Sequence, residues 1–169
     1  MAGQTDFNLA ELTDRSLLQL RVDLEAEMTR RGKHFSVGGI GETLVIDFFN
    51  TTPGLPTLVK APPGAKNVDC VSRDGDRYSG KTRWKAKKTG TVYPDALDRD
   101  RQLFEFLLVV RLNEHLELDS IHRFSWKSFL QVRKWDKRMS AWYVGCSART
   151  MKAAEAVFQR SGIPKCLDS

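Results

Sequence analysis

Residues Phe104–Leu112, FEFLLVVRL, are apolar on both sides of an extended chain and are interrupted only by Glu105 and Arg111. The run is short for a helix and rich in large aliphatic side chains, so it reads as a buried central strand. Such a strand needs partners for both of its edges and cover for both of its faces. Alternation puts Phe104, Phe106 and Leu108 on one face and Glu105, Leu107 and Val109 on the other.

The rest of the chain supplies candidates for those roles. Leu17, Leu20, Leu24 and Met28 recur at helical spacing after the capping candidates Thr13 and Asp14, and Gly32 follows Arg30 and Arg31 as a stop. A second helix is predicted over 37–49, with Ile40, Leu44 and Phe48 as its apolar stripe, ending at the turn Thr51-Thr52-Pro53-Gly54. Residues 67–72 and 77–82 read as two strands joined at Arg73-Asp74-Gly75-Asp76 in a hairpin. Further strands are expected at 121–126 and 141–146, and helices at 127–132 and 150–160. The implied class is α/β (α+β), a single mixed β-sheet flanked by helices. A length of 169 residues suits a single domain, with an N-terminal helix in 1–33, a core over 36–145, and a C-terminal helix and tail over 146–169.

No stretch approaches the roughly 20 apolar residues of a membrane span, and the polar start MAGQTDFNLAELTDRS lacks a secretory pattern. The expectation is a cytoplasmic protein without a membrane partner. Cys70, Cys146 and Cys166 are far apart and form no CxxC pair, which argues for isolated reduced thiols. His34, His115 and His122 are equally scattered and supply no catalytic cluster.

Charge points to a partner. Lys and Arg number 27 against 21 Asp and Glu, a net charge of +6, and the excess is local. Arg77, Lys81, Arg83, Lys85, Lys87 and Lys88 are interleaved with Trp84, and a second group, Arg123 to Arg138, carries Arg133 and Lys134 with Trp126 and Trp135. Basic segments with aromatics suit a surface that tracks phosphates, so a nucleic acid is the expected partner. Arg77, Arg83, Lys85, Lys87, Lys88, Arg133 and Lys134 are the expected contacts.

Gly75-Asp76-Arg77-Tyr78-Ser79-Gly80-Lys81-Thr82 satisfies the P-loop pattern GxxxxGK[ST] letter for letter. A P-loop opens a helix whose N-terminal amides hold phosphates, yet the residues that follow, RWKAKKTGTV, have no apolar stripe. Nucleotide binding is therefore the third reading. In the other readings Lys81 belongs to a strand and faces an acid: Asp69 on the preceding arm, or Glu42, which shares a helical face with Val45, Ile46 and Phe49. An acid on an apolar face requires a cation, a metal or a donor.

Gly41-Glu42 on a helix, Val68-Asp69 on one strand and Arg77-Tyr78-Ser79-Gly80-Lys81-Thr82 on the next resemble the PD-(D/E)xK nuclease superfamily, the fold of many type II restriction endonucleases. The resemblance spans residues 36–145. It implies a restriction-endonuclease-like core in which Asp69 ligates a divalent metal, Mg²⁺ with Mn²⁺ able to substitute. It further implies that Glu42 adds a carboxylate, Gly80 a backbone carbonyl, and Lys81 a charge beside the attacked phosphate. The family's lysine lies two residues after an acid; here Ser79 holds that place. The implied activity is metal-dependent endonuclease cleavage of double-stranded DNA by a homodimer, the alternative being a DNA-binding module of the same fold with little or no cleavage.

Two other roles follow from the residues around Lys81. Ser79 would act as a nucleophile only with a base in reach, and Lys81 is the nearby candidate. Glu105, an acid in an otherwise apolar strand, is either a relocated active-site acid near Lys81 or the partner of a basic residue.

Overall fold

The computed structural model describes residues 8–33 and 36–160. His34, Cys166 and the tail beyond Arg160 lie outside the described residues. The chain forms two compact units, Met1–Ser36 and Val37–Ser169.

The first unit is built on α1 (Asp14–Arg30). Thr13 caps it, its hydroxyl accepting the Ser16 N–H at 3.2 Å. At the other end Gly32 turns left-handed at φ +63°, and the N–H groups of Gly32 and Lys33 return to the carbonyls of Thr29 and Met28. That is the stop expected of a helix followed by glycine.

The second unit contains a six-stranded sheet in the order β1-β2-β3-β4-β5-β8. Its strands are β1 (Leu58–Lys60), β2 (Cys70–Ser72), β3 (Arg77–Trp84), β4 (Phe106–Leu112), β5 (Leu118–Ser125) and β8 (Glu155–Gln159). Only β3 and β4 run parallel; every other pairing is antiparallel. The class is mixed α and β. Phe106–Leu112 is the central strand its composition requires, bonded along both edges.

Each face of β4 belongs to a different core. Leu108, Val110 and Leu112 join Tyr78, Ile121 and Leu58 beneath α2 (Val37–Thr51). Leu107 and Val109 join Phe124, Val144 and Val92 beneath α3 (Trp126–Val132). Phe104 packs in this second core, against the ring of Phe129, because it precedes the strand and is free of its alternation. The deepest side of α2 is Gly41, Val45 and Phe49, one position along from Ile40, Leu44 and Phe48, which pack around its margin.

Three segments depart from expectation. Residues 150–160 are not one helix: a single turn, α4 (Ala148–Met151), gives way to β8. Val157 and Phe158 suit a pleated surface, and β5 presents an edge for them to complete. The sheet is also not alone, because β6 (Arg133–Asp136) and β7 (Ala141–Val144) form a separate two-stranded ribbon. Finally, β1 forms inside the proline-rich stretch because the Asn50 side chain brackets Leu58, accepting its N–H at 2.8 Å and donating to its carbonyl at 3.0 Å.

Candidate active site

β2 and β3 pair as the expected hairpin, Cys70 opposite Tyr78 and Val71 opposite Arg77. Immediately beyond Cys70 the two strands part. The Asp69 N–H still donates to the Tyr78 carbonyl at 2.8 Å, while its own carbonyl accepts from Ala61 at 2.9 Å. A continuing strand would satisfy the next donor on β3, the Gly80 N–H; instead the Asp69 carboxylate takes it at 2.7 Å through Oδ2. The Ser79 hydroxyl is 3.4 Å from the same oxygen. Asp69 is thus held in the fork by the strand it has left.

Glu42 reaches the fork from α2. Gly41, one residue before it, lies against Thr82, whose side chain fills the space a Cβ would need. This close approach seats the helix on β3 and brings Gly38, Gly41, Glu42, Asp69, Gly80 and Thr82 around one cavity of about 220 Å³. Lys60 of β1 pairs with Glu42, Nζ to Oε1 at 3.0 Å. Cys70 also borders the cavity, and its thiol is pushed up to about 12 by burial first and then by the negative charges of Glu42 and Asp69. Both carboxylates therefore act on a single point.

Lys81 is placed differently. Strand alternation puts it on the face of Ser79 and Arg83, opposite Val109 in the parallel register and beside Gly90. It does not line the cavity of Glu42 and Asp69. It makes no ion pair among the described residues. Because Gly80-Lys81-Thr82 lies inside β3, which continues to Trp84, no helix N-terminus follows the P-loop letters and the phosphate cradle is not formed. Ser79 is fully buried, so its hydroxyl supports Asp69 and is not presented to a substrate as a nucleophile.

Glu105 is not a relocated acid. The register that sets Tyr78 beside Phe106 sets Arg77 beside Glu105, four positions from Lys81. Arg77 donates to Glu105 through Nε at 3.0 Å, a terminal nitrogen at 2.8 Å and its backbone N–H at 2.6 Å. These bonds hold the Glu105 carboxyl below its ordinary range and raise the Arg77 guanidinium. Arg77 is accordingly engaged within the fold.

The other expected DNA contacts divide in two. Lys88 pairs with Asp136 at 3.1 Å, and Arg133 pairs with Asp100 while stacking on Trp142 at 4.0 Å. Arg83, Lys85, Lys87 and Lys134 have no carboxylate partner among the described residues; Arg83 donates to the Ala86 carbonyl, and Lys85 lies 4.5 Å over the Trp84 ring. Two further elements escaped sequence reasoning. Lys60 meets Glu42 only because β1 exists, and Arg111 donates to buried Asp119 across a β4–β5 irregularity. Neither pair has a local signature.

Compared with known proteins, the chain matches no family model and no curated protein.

Proposed function

We propose that this protein is a metal-dependent endonuclease of restriction type that hydrolyses phosphodiester bonds in double-stranded DNA. The observation that carries the reading is the convergence of Glu42, Asp69 and the Gly80 backbone on one cavity where β2 leaves β3. Its donors suit a hard cation, since Mg²⁺ is bound through one or two carboxylates and keeps several waters. Glu42, Asp69 and the Gly80 carbonyl would hold Mg²⁺ or Mn²⁺, which when bound lowers the pKa of water and polarises the phosphodiester.

The residues themselves have separable tasks. The Gly80 N–H orients the Asp69 carboxylate by occupying Oδ2, while Oδ1 has no donor among the described residues. Lys60 restrains Glu42 in the same way. Lys81 emerges on the other face of β3 and takes no step at this cavity. Cutting both strands at a symmetric site asks for two such sites, hence a twofold homodimer, and a cytoplasmic location accompanies this reading.

The test is incubation of the full chain with mixed-sequence duplex DNA and Mg²⁺ or Mn²⁺. Asp69→Asn and Glu42→Gln should each abolish cleavage while retaining most DNA affinity. Cleavage that persists in Asp69→Asn overturns the assignment. One observation favours a second reading: with Ser79 in the place of the family's acid, the cavity has two carboxylates. Duplex binding without cleavage at any divalent metal would identify a DNA-binding module of this fold.

A further inference from the structure

On the sheet face away from α2 lies a second and much larger cavity, of about 1180 Å³. Its floor sets two arginines side by side: Arg83 of β3 and Arg111 of β4 are direct register partners, with Ser120 of β5 beside them. Like charges directly opposite each other in a sheet are destabilising. Burial lowers the pKa of the Arg83 guanidinium, and the charge of Arg111 lowers it further. His122, on the same floor, is lowered by burial and then by both arginines.

The fold compensates this crowding incompletely. Buried Asp119 accepts from the Nε of Arg111, and the terminal nitrogens of Arg111 have no further hydrogen bond among the described residues. Arg83 spends one nitrogen on the Ala86 carbonyl and meets no carboxylate. Lys85, Lys87 and Lys152 add charge around the cavity, whereas its single lining acid, Glu114, is exposed. Arginine forks presented by adjacent strands match the oxygens of a phosphate, which accepts bidentate bonds. The space far exceeds a bare phosphate, and Cys146, Met151 and Ala154 give it an apolar wall.

We infer that this cavity binds the phosphomonoester of a nucleotide, free or at the end of a nucleic-acid strand, with Arg83 and Arg111 gripping the phosphate and the apolar wall receiving the base. The site is separate from the cavity of Glu42 and Asp69 and needs no metal.

Binding is measured in EDTA, so that the outcome does not depend on cleavage. The full chain is titrated with adenosine 5′-monophosphate, adenosine and inorganic phosphate, and with one short oligonucleotide carrying or lacking a 5′-phosphate. The monophosphate should bind at least about tenfold more tightly than adenosine, and inorganic phosphate should compete with it. Arg83→Gln and Arg111→Gln should each lose about tenfold, whereas Lys66→Gln, the same charge change outside the cavity, should lose little. Tighter binding of the phosphorylated oligonucleotide than of the monophosphate assigns the site to strand ends, and the reverse assigns it to free nucleotides. Because Arg111→Gln strands the Asp119 carboxylate and can impair folding, a second readout uses the wild-type chain and Arg83→Gln. Phosphate should raise the thermal midpoint of the wild type more than that of Arg83→Gln, and more than chloride does at equal ionic strength. Equal affinity for adenosine and its monophosphate, or Arg83→Gln binding as the wild type does, overturns the inference.

Discussion

At the scale of single residues, Gly41 does the most to assemble the cavity, and its substitution puts two effects in opposition. Alanine is favoured over glycine in a helix interior by about 1 kcal/mol. Here, however, the new methyl would fall inside the Thr82 side chain. Overpacking of this kind costs about 1–3 kcal/mol, so collision should outweigh propensity. Gly41→Ala is expected to lower the denaturant midpoint, and the double variant with Thr82→Ala to recover part of the loss. A stabilised Gly41→Ala would mean that α2 does not rest on β3 as described. Asp69 and Glu42 were legible before the structure because an acid among apolar neighbours at strand or helix spacing is conspicuous. The partner of Glu105 was not, because Arg77 becomes its neighbour only through the parallel register of β3 and β4, which no local pattern encodes.

At the scale of elements, the same distinction separates β4 from β8. An apolar run such as FEFLLVVRL leaves few options, and both of its faces are indeed covered. The segment EAVFQ has a helix-compatible composition, and its conformation is decided by the free edge of β5, with Ile121 opposite Phe158 and Ser120 opposite Gln159. Phe158 also packs against Phe48 of α2, the rings tilted with centroids 5.0 Å apart, a contact that ties the strand to the helix layer. An edge strand bonds along one side only, so its amides alternate between paired and free. Amide exchange across 155–159 should therefore show protection at every second residue, interrupted at the irregularity between Ile121 and His122. Uniform protection over these residues would restore the helix that the sequence suggests.

At the scale of the whole molecule, the net charge of +6 overstates what is available to a polyanion. Seven cations were expected to meet DNA, but Arg77, Lys88 and Arg133 are each held by a carboxylate. Arg133 is further buried, with a side-chain exposure of 15%, against the Trp142 ring. Withdrawing it would leave Asp100 unpaired and the indole uncovered, so it contributes little to counterion release. Lys85, Lys87, Lys134 and Arg83 carry no such constraint among the described residues. If each neutralises one phosphate, the affinity for duplex DNA should fall with salt at a logarithmic slope on the order of −4, not the roughly −6 that seven free cations would give. Lys85→Gln should then flatten the slope by about 1, while Arg133→Gln leaves it nearly unchanged and lowers stability instead. Titrations of both variants over a range of salt concentrations decide the matter. A slope that Arg133→Gln reduces as much as Lys85→Gln does would show that the ion pairs open to the DNA, and a slope near zero would remove duplex DNA as the partner.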